Sequence, residues 1–170
     1  MRIAPRGGLK IDVVIDAGRW KREGYARAML RRAVRQAAMT LSTRATELAI
    51  VLTDDSTSRQ LNRRWRGIDA ATNVLSFPTK RTKDEPPHIG DIVLAYETVA
   101  CEARAERKPF AHHVAHLAVH GFLHLVGYEH ERIEDAENME EVERKILRRL
   151  AIPDPYRDLA KPSRRTATKH

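Results

Sequence analysis

The sequence predicts a single α+β domain, with about four strands in a mixed sheet and about five helices. Three observations lead there. Four short segments carry apolar residues at strand length, and longer ones repeat them at helical spacing. The two kinds follow one another in mixed order, not in strict alternation. The 170 residues, 42% hydrophobic and 32% charged, match one globular core, which excludes a disordered chain, a fibre and a repeat array.

Lys10–Asp16 alternates polar and apolar residues and reads as a strand, broken by Gly18. Helix formers then run from Glu23 to Met39, with Tyr25, Met29, Leu30 and Val34 near helical spacing. Thr46–Leu52 is a second strand. Thr53-Asp54-Asp55 offers an N-cap for a helix through about Arg64, with Leu61 and Trp65 one turn apart. Asn73–Phe77 is a short strand closed by Pro78, and the proline argues for a sheet edge or a strand end. Arg81–Pro87 is polar with two prolines and is expected to be a mobile loop. Ile89–Ala95 is the fourth strand.

Helices follow at Glu97–Arg107, from Pro109 to a stop at Gly127, and at Glu134–Leu150. The last has an apolar stripe of Met139, Val142, Ile146, Leu147 and Leu150. Pro153 and Pro155 end it. Residues 1–156 are therefore expected to form the domain, and 157–170 a basic, disordered tail.

One cysteine, Cys101, excludes a disulfide framework and a cysteine zinc finger, and suggests a reducing, cytoplasmic setting. Asp12 and Asp16 interrupt what would have to be a secretory apolar stretch. Pro109–Tyr128 holds 20 residues without a charged side chain, long enough to span a bilayer. Five of them are histidines, which are costly in hydrocarbon, so the expectation is a buried helix and no membrane. The net charge of +8 favours anionic partners, nucleic acid first. Arg19–Arg35 concentrates basic residues, Arg27 and Arg31 among them, while residues 129–143 hold eight acids against Arg132. The basic run is either a solvated helix face or, with Arg63 and Arg64, a phosphate-contacting surface.

The informative segment is His120-Gly-Phe-Leu-His124-Leu-Val-Gly127-Tyr-Glu-His130. Residues four apart share a helical face, so His120 and His124 can aim at one point. Gly127 lets the chain leave the helix, and His130 can fold back to the same point. Three imidazoles with an open fourth corner form a catalytic-type zinc site, one ion per chain, although other divalent transition metals fit as well. The spacing is that of the metzincin motif, but Gly121 stands where a protease needs its general-base glutamate. His112, His113 and His116 read as packing residues or as hydrogen-bonding partners behind the ligands. Glu129 and Asp91 read likewise as carboxylates supporting the site, and with Glu131 as candidate bases.

His120 to His130 resembles the H-G-x-L-H-L-x-G-Y-D-H signature of the YbeY family of bacterial endoribonucleases. The resemblance continues at Leu61–Asp69 with Thr72–Pro78, at Gly90-Asp91, at His113 and His116, and at Asp154-Pro155-Tyr156, covering about residues 45–156. Glu129 replaces the usual aspartate and Trp65 the usual tyrosine. The resemblance implies a zinc-dependent, single-strand-specific endoribonuclease acting in 16S rRNA 3′-end maturation and ribosome quality control. It implies rRNA and ribosomal subunits as partners, with an Era-type GTPase and ribosomal proteins among them. It also implies a functional role for Arg66, whose planar fork suits a phosphate. Two alternatives stay open: a ribosome-assembly factor with a purely structural zinc, favoured by Gly121, and a metalloprotease, favoured by the metzincin spacing.

Overall fold

The computed structural model describes residues 8–43, 47–80 and 88–157. Its strands are β1 (Lys10–Ile15), β2 (Glu47–Thr53), β3 (Val74–Pro78) and β4 (His88–Ala95). Its helices are α1 (Ala26–Thr40), α2 (Asp55–Arg66), α3 (Tyr96–Ala105), α4 (Phe110–Leu125) and α5 (Ile133–Arg149). The expected loop at 81–87 and nearly all of the expected tail lie outside the described residues.

The sheet order is β1-β2-β4-β3. β1, β2 and β4 run parallel, and β3 pairs antiparallel to β4 at one edge, where Pro78 withholds no ladder donor from a second neighbour. Alternation in β2 buries Leu48, Ile50 and Leu52, which join Ile92 and Leu94 of β4 in the core. Leu30, Ala33, Val34 and Ala37 of α1 complete it with Val114, Ala118 and Phe122 of α4. The apolar helix of the sequence is thus buried inside the domain, and no described helix is long and apolar enough to cross a membrane.

Two elements depart from expectation, each because a tertiary contact outweighs local pattern. The first helix starts at Ala26, not Glu23, and is preceded by a 3-10 turn at Gly18–Arg22. That turn buries Trp20, whose indole donates to the Thr53 carbonyl at 2.8 Å and whose ring meets Tyr96 edge-on. Tyr25 is consequently exposed. In α2, Asp54 caps as expected, accepting from Thr57 N–H at 2.8 Å. Its buried side chains, however, are the polar Ser58 and Asn62, while Trp65 is 63% exposed. Ser58 exchanges hydrogen bonds with Thr72, and Asn62 donates to the Ala70 carbonyl, so this helix pins the segment leading into β3.

α4 crosses the sheet closely at Gly121. A Cβ there would lie 2.9 Å from Ile92 Cγ2, 3.2 Å from Ser76 Oγ and 3.3 Å from Val74 Cγ2. Ser76 Oγ donates to the Gly121 carbonyl at 3.1 Å across the same contact. Gly121→Ala gains about 1 kcal/mol of helix propensity. Overpacking against β-branched, rotamer-stiff Ile92 costs up to about 3 kcal/mol. The expected net loss of about 1–2 kcal/mol is read as a lower urea midpoint at unchanged slope.

Candidate metal centre

The last two turns of α4 carry His120 and His124 on one face. Gly127 then adopts φ +99°, and the Tyr128 amide donates back to the Leu123 carbonyl at 2.9 Å, closing the helix end. This exit returns His130 to the pair. The three offer ligating atoms all within 4.8 Å of one another, as their spacing predicts.

Each helical imidazole is oriented from behind. His124 Nδ1 donates to the Tyr128 carbonyl at 2.9 Å, and His120 Nδ1 donates to the Glu143 carboxylate at 2.5 Å. Both Nε2 atoms therefore present lone pairs, and they face one another at 3.1 Å. Two lone pairs at that distance repel unless a cation lies between them. Tetrahedral zinc with Zn–N near 2.05 Å separates its nitrogens by about 3.3 Å, so the His120–His124 pair fits a divalent ion of that kind. Burial, and then the neighbouring His120 and His130, lower the pKa of His124, which favours the neutral, ligating form.

The trio opens into a cleft of about 570 Å³. Arg66, at the end of α2, lines it, with Trp65 and Phe77 (ring centroids 6.2 Å apart) along the same wall. Arg66 is followed by Gly67 in the left-handed conformation (φ +70°), which closes α2 with bonds to Asn62 and Arg63 carbonyls and fixes where that arginine starts. Glu129 and Glu131 also line the cleft, and Glu129 reaches to 4.0 Å from His124 Nδ1.

Other sequence candidates lie elsewhere. Arg63 and Arg64 are exposed on α2 outside the cleft lining, and Arg64 stacks on Trp65 at 5.3 Å. Arg31 donates to the Ile11 carbonyl of β1, and Arg27 is exposed on the preceding turn of α1. β1 is three strands from β3, about 14 Å at ordinary strand spacing, so this pair does not join the cleft. Asp91 on β4 binds His88 at 3.1 Å and does not line the cleft. His116 meets the His120 ring edge-on, with centroids 6.4 Å apart. Its Nε2 meets Glu143 Oε2 at 3.1 Å, one step behind His120.

Glu143 is the residue that sequence reasoning missed. It is fully buried on α5 yet belongs by composition to the acidic run 129–143. Burial pushes its carboxyl up, but hydrogen bonds from His116 and His120 outweigh that and hold it at about 2. The available signal was position: Glu143 falls four residues after Met139 and three before Ile146, on the apolar stripe.

Fold and site together define an α+β domain in which three convergent imidazoles could hold a metal ion. Comparison with known proteins makes this particular. A family model described as Endoribonuclease YbeY matches residues 16–151. An Endoribonuclease YbeY of Bradyrhizobium diazoefficiens is 50% identical over 155 residues, covering 86% of this chain and 85% of that one. Another, from Rhodopseudomonas palustris, is 54% identical over 151 residues, covering 85% and 80%. The chain belongs to the endoribonuclease YbeY family. In fold it also resembles a Thermotoga maritima protein solved in solution, with TM-score 0.50 and 23% identity over 89% of this chain and 99% of that one.

Proposed function

We propose that this protein is a zinc-dependent endoribonuclease that cuts single-stranded RNA, acting in the cytoplasm on 16S rRNA precursors during ribosome maturation and quality control. The observation that carries the reading is the shared cleft: three convergent imidazoles, one arginine and two aromatic rings line one cavity. The names borne by its relatives support the same substrate class.

His120, His124 and His130 would hold the ion, which when bound would supply Lewis acidity toward a phosphoryl oxygen. Arg66 neutralises and orients the scissile phosphate through paired N–H donors. Trp65 presents an exposed ring on which an unpaired base can stack, with Phe77 beside it, a mode closed to bases inside a duplex. Glu129 and Glu131 line the cleft and serve as the candidate proton acceptors. Arg63 and Arg64 extend positive charge along α2 for the strand as it leaves.

The test is cleavage of a 16S precursor fragment by chelator-treated protein before and after zinc is restored, with circular dichroism in parallel. Chelation is expected to abolish cutting and leave the dichroism spectrum in place, because the ligands sit at the rim of a core built without them. An annealed duplex of the same sequence is expected to resist. Unfolding on chelation, with no cutting by zinc-loaded protein, would establish instead an assembly factor with a structural metal.

A further inference from the structure

We propose that Glu143 is the positioning residue of the metal centre: one carboxylate oxygen sets His120, while the other is clamped by His116 and Tyr156. The inference rests on the metal-site reading above. Oε1 accepts from His120 Nδ1 at 2.5 Å, and Oε2 faces His116 Nε2 at 3.1 Å and accepts from the Tyr156 hydroxyl.

Packing alone does not account for this side chain. Its neighbours on the stripe are Met139, Ile146 and Leu147, all buried, and another apolar residue would fill the site without the cost of desolvating a charge. A carboxylate here does what a leucine cannot. It requires a proton on His120 Nδ1, leaves Nε2 bare toward His124 and His130, and holds the ring plane. His124 obtains the same service from a backbone carbonyl that its own helix exit supplies. His120 lies a turn earlier, beyond that carbonyl's reach, and depends on a different element.

The clamp extends the device beyond α5. Tyr156 follows the helix by several residues and is turned back over it, with the Arg144 guanidinium 5.1 Å from its ring centroid. Asp154, which accepts from the Tyr156 amide, also pairs with Arg144 at 3.4 Å. The Asp154–Tyr156 segment thus seats a hydroxyl on the carboxylate that seats the ligand.

The experiment is zinc titration against a competing chelator for wild type, Glu143→Gln, Tyr156→Phe and His116→Gln. Visible spectra of the cobalt-loaded forms and melting of the metal-free forms accompany it. Glu143→Gln is expected to weaken zinc about 10–100-fold, the usual effect of losing a partner behind a ligand, and to shift the cobalt bands. Tyr156→Phe and His116→Gln, one step further out, are expected to weaken it by a smaller factor. Zinc binding by folded Glu143→Gln within about twofold of wild type overturns the proposal. Should that variant not fold, wild-type affinity in both outer variants overturns it as well. Wild type that binds no zinc would overturn the metal-site reading itself, an outcome separate from either.

Discussion

His124→Ala is expected to reduce zinc affinity by more than about 100-fold, since losing even a partner behind a ligand costs about 10–100-fold. Two things are lost together. One of three nitrogens disappears, and with it the Nδ1 bond to the Tyr128 carbonyl that orders the chain leaving α4. RNA cleavage by this variant should equal that of chelator-stripped wild type, measured on the same precursor fragment. Stability is expected to change little. The side chain lies at the cleft wall, and the buried helix face is built by Val114, Ala118 and Phe122. Cleavage at the wild-type rate with zinc binding lost would point to a contaminating nuclease.

Arg66→Glu is expected to separate the two halves of the site. Arg66 is carried by α2 and the ligands by α4 and the segment after it, so zinc affinity should stay near wild type. Cleavage should fall by about 10³-fold, the lower range for removing an arginine that offsets phosphate charge in phosphoryl transfer. That corresponds to about 4 kcal/mol of lost transition-state stabilisation. Arg66→Lys should recover only part of the rate, because a single ammonium cannot reproduce the paired donors of the guanidinium. A rate for Arg66→Glu within a fewfold of wild type would remove Arg66 from the mechanism.

Much of this was legible before any coordinates. The alternation in Lys10–Asp16 found β1, the apolar run Thr46–Leu52 found β2, and Pro78, read as a sheet edge or a strand end, is both. The convergence of His120, His124 and His130 was legible because helical periodicity and one glycine suffice to bring them together. What escaped notice depends on partners distant in sequence. Trp20 organises a 3-10 turn only because the Thr53 carbonyl and the Tyr96 ring await it. Ser58 and Asn62 face inward because a later loop needs their hydrogen bonds, which inverted the expected apolar side of α2. Arg27 and Arg31 do not line the cleft: α1 carries them toward β1, where Arg31 donates to the Ile11 carbonyl. Glu143 was hidden by company, one acid among eight, although its helical phase set it apart.

The close crossing at residue 121 has a bearing on what this scaffold could ever become. A protease of similar ligand spacing needs a carboxylate at that position, yet here even a methyl group would press on Ile92, and a propionate would have to pass between helix and sheet. The metzincin way of carrying a base, on the ligand helix beside the first histidine, is therefore closed here by steric exclusion. A glutamate at 121 would have to push α4 away from β3 and β4, the two strands against which its histidine-bearing end is braced.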